Sequence, residues 1–162
     1  MEIEKKYLIK ELPENLENFQ RKKMEQGYLC RNPIIRIRKS NEDFILTYKS
    51  KFGITEEMEQ HARVCNEVEL PLTEEGYFHL KSKVDGNMVY KTRYIIPLQN
   101  NLKAELDIFE RQLEGLAFLE VEFPDEKAVE AFEAPAWFGD DVSKRVEYTN
   151  SYLSTIKKLN RD

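Results

Sequence analysis

The sequence predicts an α+β chain that is mainly antiparallel β, rolled into a closed barrel with a charged lumen and peripheral helices. Three observations point there. Segments alternating charged and apolar residues recur along the chain, strand-like stretches outnumber helical ones, and turn-forming residues separate neighbouring strands. Residues two apart on a strand share a face. In the opening ten residues Glu2, Glu4 and Lys6 therefore form one row, and Ile3, Tyr7 and Ile9 the other. The pattern returns in Arg36-Ile37-Arg38, Thr47-Tyr48-Lys49, Glu67-Val68-Glu69, Lys91-Thr92-Arg93, Glu105-Leu106-Asp107 and Glu120-Val121-Glu122.

Taken in order, the first strand runs into Leu12–Leu16, where Pro13 marks a turn or one short helical segment. Lys22–Leu29 reads as extended, broken by Gly27, and Pro33 opens the strand that carries Arg36 and Arg38. Ser40-Asn41-Glu42-Asp43 is turn chemistry, so Phe44–Lys51 pairs back as a hairpin. Thr55–Ala62 is a polar, acidic loop or short helix, and Val64–Leu70 is a strand stopped by Pro71. Thr73 caps a helix with acids in its first turn; Tyr77, Leu80 and Val84 form its apolar stripe, and Asp85-Gly86-Asn87 ends it. Strands follow at Met88–Leu98, Leu102–Arg111 and Leu116–Phe123. Pro124-Asp125-Glu126 begins an amphipathic helix through Phe132, and Pro135–Gly139 is a rigid aromatic turn with Trp137 plugging the barrel end. Thr149–Leu159 closes the chain as a helix with Tyr152, Ile156 and Leu159 on one side.

At 162 residues the chain fits one domain, with 41% apolar and 34% charged residues. The net charge of −5 argues against a general binder of nucleic acid or anionic membranes, so any anion site is local. Apolar runs are far shorter than a membrane span, no basic-then-apolar leader opens the chain, and the cytoplasm is the default location. Cys30 and Cys65 have no metal-type spacing and read as small buried hydrophobes. His61 and His79 are far apart and read as surface or packing residues.

Alternation alone does not say which face is wet, and an ordinary sheet keeps its charges in water. The arrangement of sign decides for the interior. A symmetric hairpin near Leu113-Glu114-Gly115 places Glu105 opposite Glu122 and Asp107 opposite Glu120. Like charges facing each other destabilise a sheet, so clustered carboxylates need a counter-charge. Folding about Gln99-Asn100 puts Lys91 and Arg93 beside Asp107 and Glu105. The inward set is then eight acids against six bases, a balance of −2. Two divalent cations would bring it to +2, which roughly matches a triphosphate of about four to five negative charges. Carboxylate oxygens suit Mg²⁺ or Mn²⁺, while Arg forks and Lys point charges suit phosphate.

At these residues the chain resembles the CYTH superfamily, the triphosphate tunnel metalloenzymes. Glu2-x-Glu4-x-Lys6 matches the family's opening signature, and Arg36-x-Arg38, Lys49, Glu67-x-Glu69, Lys91-x-Arg93, Glu105-x-Asp107 and Glu120-x-Glu122 match its later strand motifs in order. Coverage runs over about residues 1–155. The closing "LEVEFPDEKAVEAFEAPAWFG", "YTNSYL" and "QGYL" around Tyr28 look most like the bacterial inorganic tripolyphosphatase branch. Val142-Ser143-Lys144-Arg145 stands where that branch tends to carry Thr-Gly-Asp before its last basic residue, which makes Lys144 the candidate there. The resemblance implies an eight-stranded antiparallel tunnel, Mg²⁺ or Mn²⁺ dependence, and hydrolysis of a terminal phosphoanhydride. It assigns Glu2, Glu4, Glu67, Glu69, Glu105, Asp107, Glu120 and Glu122 to metal, directly or through water. Lys6, Arg36, Arg38, Lys49, Lys91, Arg93 and Lys144 fall to phosphate. Glu2, Glu4, Lys91 and Tyr28 are the catalytic candidates; Tyr28 beside a lysine such as Lys91 could move a proton, since cations lower a phenol's pKa.

The expected partner is a triphosphate-containing small molecule, tripolyphosphate or ATP, with no nucleic acid, no membrane, and a monomer or homodimer as the working unit. Three alternatives share the lining: adenylyl cyclase of class IV type, thiamine triphosphatase, and a non-catalytic polyphosphate or nucleotide-binding module. The acids disfavour the last, because binding phosphate alone does not require them. No GxxxxGK[ST], GxSxG or HExxH pattern is present, and inward charge excludes a lipocalin-like carrier of apolar ligands.

Overall fold

In the structure, a computed structural model that describes residues 1–157, nine strands form one antiparallel sheet that closes on itself. The strands are β1 (Glu2–Ile9), β2 (Gln20–Arg31), β3 (Ile34–Ser40), β4 (Asp43–Ser50), β5 (Arg63–Pro71), β6 (Asp85–Pro97), β7 (Lys103–Phe109), β8 (Ala117–Glu122) and β9 (Phe138–Asp141). Their spatial order is β5-β4-β3-β2-β6-β7-β8-β1, and pairing of β1 with β5 completes an eight-stranded barrel. β9 adds a ninth strand on β1 where β5 has ended. Three short helices decorate this cylinder: α1 (Glu74–Lys81), α2 (Glu126–Ala131) and α3 (Asn150–Leu153). Each has a side-chain N-cap: Thr73 accepts from the Gly76 N–H, Asp125 from the Ala128 N–H and Thr149 from the Tyr152 N–H. None of the described helices is long and apolar enough to cross a membrane.

The apolar residues of the alternating pattern face outward and most are covered there, Val68 and Leu70 on β5 being exposed. Tyr7, Ala104, Leu106, Leu119 and Val121 pack with Phe123, Val129 and Phe138 beneath α2 and β9. Trp137 belongs to this outer layer, 4.7 Å from the Phe138 ring; it does not plug the barrel end as the sequence suggested. On the opposite wall α1 inserts Tyr77, fully buried, against Phe44 at 5.0 Å.

The barrel end is sealed by a different group. Beside their charged inner positions β1, β6, β7 and β8 carry apolar ones at one end of the barrel, Leu8 and Phe109 after the charges and Val89 and Phe118 before them, and these gather around Leu113 and Leu153. α3 is thus only four residues long and presents Leu153 to this plug, while Tyr152 is exposed. Of the side expected for the terminal helix, Ile156 packs against the plug and Tyr152 does not, and Leu159 lies outside the described residues. The apolar interior at one end confines ionised groups to the remainder of the tunnel.

Two hairpins differ in register from the symmetric folding read in the sequence, each by two residues. Glu105 faces Glu120 and Asp107 faces Phe118; Arg93 faces Asp107, and Glu105 faces Ile95. The turns explain both shifts. Asn100 and Asn101 both take left-handed φ values of 60° and 61°, a conformation that Asn tolerates, which moves the apex onto Asn100. Between β7 and β8 a 3₁₀ turn over Arg111–Leu113, entered by Arg111 at φ 56°, moves the apex ahead of Gly115. Asp85-Gly86-Asn87 does not end α1, which stops at Lys81; it opens β6, with Asp85 held by the Arg31 guanidinium at 2.7 Å.

Leu119 is fully buried in the outer layer. Leu119→Ala should cost about 2–5 kcal/mol, read as a lower urea midpoint with an unchanged slope.

Candidate active site in the barrel lumen

Because the even-numbered residues of β1 point inward, closure of the barrel gathers the charged rows around a cavity of about 360 Å³. Glu2, Glu4, Lys6, Tyr28, Arg36, Arg38, Lys49, Glu67, Glu69, Arg93, Glu105, Glu120 and Glu122 line it. The lining also contains Arg31, Lys51 and Arg63, so it holds eight bases and seven acids. The sequence balance of −2 is thereby reversed. Lys91 and Asp107 are fully buried outside the lining, and Lys144 is exposed outside it.

The buried ionic core centres on Asp107. Arg93 grips it with two bonds, Nε to Oδ1 at 2.7 Å and Nη2 to Oδ2 at 2.9 Å, and Lys91 Nζ donates to Oδ2 at 2.7 Å. Arg93 Nη1 also donates to Glu105 Oε2 at 2.6 Å. Lys91 has a further oxygen, Asn150 Oδ1, at 3.4 Å. Burial pushes Lys91 down to about 7 against the pull of Asp107. Burial would raise Asp107, yet Arg93 and Lys91 hold it below the usual carboxylate range.

On the other side of the lumen carboxylates crowd one another. Glu4 is opposite Glu122 across the β1–β8 ladder, with Lys6 opposite Glu120. Burial and the neighbouring Glu120 raise Glu4 well above the ordinary range, and the two side chains share a hydrogen bond. Burial would raise Glu120 too, but Lys6 and Arg93 keep it well below the ordinary range. Glu2 is raised by burial and by a hydrogen bond with Glu67, and Glu122 by burial and by Glu2 and Glu105. Lys49 bridges part of this set, 2.8 Å from Glu2 and 3.7 Å from Glu67. Glu69 and Glu122 are exposed at the rim.

The remaining candidates sort by their partners. Lys6 donates to the Tyr148 carbonyl at 2.7 Å, lies 3.7 Å from Glu120 and sits 4.3 Å from the Phe118 ring. Arg36 Nη2 donates to Thr47 Oγ1 at 3.1 Å, and Arg38 Nε to Gln26 Oε1 at 2.9 Å. Tyr28 is buried in the wall, and the guanidinium of Arg31 lies 5.8 Å from its ring. Cys65 is not packed among hydrophobes but lines the lumen, its thiol donating to Glu2 Oε1 at 3.4 Å and pushed up to about 12 by burial. A separate group, His61, Glu126 and Glu130, has ligand atoms within 4.8 Å of one another but is exposed on the outer surface.

Sequence reasoning missed Arg63 and Cys65, although both lie in phase with Glu67 and Glu69 two and four residues on. It also missed Arg31, Lys51 and the Thr149–Ser151 segment. That segment reaches the cavity by a tertiary return, and no local pattern signals it.

A closed antiparallel barrel whose lumen is lined by opposed acids and bases defines a tunnel protein with a charged interior. No protein-family model matches the chain. It is 32% identical over 157 residues to a protein of Nitrosomonas europaea named inorganic triphosphatase, covering 94% of this chain and 96% of that one. A second protein of that name, from Acetivibrio thermocellus, is 32% identical over 131 residues, covering 79% and 77% of the two chains. The crystal structure of an inorganic triphosphatase superposes with a TM-score of 0.69 at 29% identity, covering 98% of this chain and 97% of that chain. The chain belongs to the CYTH superfamily of triphosphate tunnel metalloenzymes, on the side of the inorganic triphosphatases.

Asp107→Asn leaves Lys91 and Arg93 buried without full compensation and should cost about 3–5 kcal/mol. Urea unfolding at pH 7 measures it; a loss below about 1 kcal/mol would show that the cluster contributes little.

Proposed function

We propose that the protein hydrolyses a terminal phosphoanhydride of inorganic tripolyphosphate, or a related triphosphate, with Mg²⁺ or Mn²⁺ as cofactor. The observation that carries this reading is the coexistence, in one cavity, of guanidiniums without carboxylate partners and carboxylates crowded against one another. A polyanion answers the first and a divalent cation the second. The volume of about 360 Å³ is near the small end of ligand pockets, which suits an inorganic chain. Apolar lining is limited to groups such as Pro33, Ile34 and Val64, which offer a nucleobase little platform. This favours hydrolysis of tripolyphosphate over cyclisation of ATP or hydrolysis of thiamine triphosphate.

The carboxylates fit a hard divalent ion. Their oxygens are the preferred ligands, and the raised proton affinity of Glu2, Glu4 and Glu122 is what acids show when the expected positive charge is supplied by a proton instead. Glu2, Glu4, Glu67, Glu69, Glu105, Glu120 and Glu122 would hold the metal, directly or through water. When bound, it supplies charge neutralisation at phosphate oxygens and lowers the pKa of a coordinated water. Asp107 leaves the proposed ligand set, because Arg93 and Lys91 occupy both its oxygens.

Phosphoryl transfer asks chiefly for positioning and charge. Arg36, Arg38, Arg93, Lys6 and Lys49 grip the chain, Arg forks fixing orientation and Lys adding point charge. Lys91 backs Asp107 and so fixes the Arg93 fork. Tyr28 faces Asp85 across the β2–β6 ladder, while Lys91 faces Met24, so the expected Tyr28–Lys91 neighbourhood is not formed. We still propose that Tyr28 steers a proton from the wall; Tyr28→Phe with an unchanged kcat across the pH profile would remove that role. Lys144 stays outside the proposed set. The enzyme is assigned to the cytoplasm, where free thiols such as Cys30 and Cys65 stay reduced.

Orthophosphate release should be fastest with tripolyphosphate in a panel with ATP and thiamine triphosphate, and should vanish in EDTA. Cyclic AMP formed from ATP at a comparable rate would favour the cyclase instead. Glu4→Gln should lower kcat by at least about 100-fold while leaving phosphate affinity measurable, and unchanged turnover would remove the metal assignment. The same variant should raise the Tm of metal-free protein at pH 7. The sign follows from a folded pKa above the unfolded one: the charged carboxylate is disfavoured by folding at every pH above its unfolded value.

A further inference from the structure

The cations of the lining divide by partner. Lys6, Lys49 and Arg93 pair with Glu120, Glu2 and Asp107 at 3.7, 2.8 and 2.7 Å, and Arg31 and Lys51 with Asp85 and Glu59 at 2.7 Å each. Among the described residues Arg36, Arg38 and Arg63 have no carboxylate partner. Arg36 has only the Thr47 hydroxyl, and its Nε is buried without an acceptor. Arg38 has only the Gln26 amide oxygen, and Gln26 Nε2 is likewise buried without an acceptor. Arg63 lies opposite Glu4 across the β1–β5 ladder and lines the cavity, yet makes no ion pair.

Every unsatisfied group here is a donor. Buried donors without acceptors are costly and uncommon, and an anion is the ligand that would supply the acceptors. Gln26 matters by its neutrality: it orients Arg38 without cancelling its charge, where a glutamate would do both. The plainer reading of Arg63 is a counter-ion for Glu59 at the mouth. Glu59 Oε2 is already taken by Lys51 Nζ at 2.7 Å and the Val64 N–H at 3.2 Å. Arg63 makes no ion pair with Glu59 and, against burial, only helps Lys51 to hold its carboxyl low. Its charge also reaches inward, where with burial it opposes protonation of Lys6.

We propose that Arg63 is a third phosphate-binding arm beside Arg36 and Arg38, and that these three guanidiniums hold one phosphate group of the substrate without the metal. This rests on the polyphosphate reading of the tunnel. Gln26 acts through Arg38 as a positioning residue. The carboxylate side then serves the metal-bound part of the chain, and the guanidinium side retains affinity when no metal is present.

Calorimetric titration with inorganic tripolyphosphate in EDTA tests this, alongside turnover with Mg²⁺ or Mn²⁺ on the same preparations. The wild type should bind without metal. Arg63→Gln should weaken that binding by about tenfold or more, with Arg63→Lys recovering part, since it keeps the charge and loses the fork. Gln26→Glu keeps the acceptor for Arg38 and should weaken metal-free binding comparably; thermal unfolding of the ligand-free variants separates this from loss of fold. Wild-type affinity in Arg63→Gln overturns the role of Arg63. Binding by the wild type only when metal is added overturns the metal-free clamp while leaving hydrolysis intact. Metal-free binding without turnover of any triphosphate would sink the hydrolase reading and support the clamp.

Discussion

The salt bridge between Arg93 and Asp107 is the constraint around which the tunnel is arranged. Ionised groups in a closed barrel lose water, and a buried charge survives only with a partner and well-formed hydrogen bonds. Asp107 supplies this for Arg93 and Lys91 together, joining neighbouring strands β6 and β7 through their side chains as well as their ladder. The register of that hairpin sets Arg93 directly opposite Asp107, so the fully buried carboxylate meets a guanidinium across the ladder. The stabilising area lies on the other face, where Leu106, Leu119 and Val121 are sealed under α2 and β9. The barrel thus separates its two tasks by strand parity, with apolar burial outside and charge inside.

This separation ends at the apolar plug. Lys6 sits at the boundary, against the Phe118 ring and bonded to the Tyr148 carbonyl. Lys91 lies near the same boundary, 5.5 Å from the Phe109 ring. Low dielectric around these two ammonium groups strengthens their interaction with any anion in the cavity. It also explains why both have lowered proton affinity, with burial as the first cause. One end is closed by side chains from β1, β6, β7 and β8, and the segment before α3 adds Thr149, Asn150 and Ser151 to the lining.

How much of this could be read in the sequence follows from which features are local. Strand parity is local, so the sequence alone sets Glu2, Glu4, Arg36, Arg38, Glu67 and Glu120 on one face, and all six line the cavity. Register is not local. It is fixed by the backbone of Asn100, Asn101 and Arg111, and left-handed conformations at these positions shift pairing by two residues while keeping every side chain on its face. The inside of the barrel therefore survived the error, but the partners did not: Asp107 met Arg93 and became an anchor, and Glu105 met Glu120. Trp137 and Tyr152 were misplaced for a related reason. Each lies in a short segment whose apolar side is chosen by what it returns to, β9 on β1 and α3 on the plug.

The mixture of acid and base in one lumen has a consequence that a purely basic tunnel would lack. Eight bases alone would hold a polyanion tightly before and after reaction, and uniform binding of that kind does not accelerate chemistry. Seven acids bring the metal-free lining close to neutrality, and three of the bases, Lys6, Lys49 and Arg93, are paired with them. On the carboxylate side, a cation would supply the positive charge that relieves the crowding of Glu2, Glu4 and Glu122. If hydrolysis runs as proposed, the free guanidiniums hold the chain without the ion, and only the grip of the carboxylate side is conditional on the ion that also promotes the reaction. A shorter product, with fewer oxygens to span both walls, engages fewer of these groups and leaves. The crowding of carboxylates, costly to the empty fold, is what makes that dependence possible.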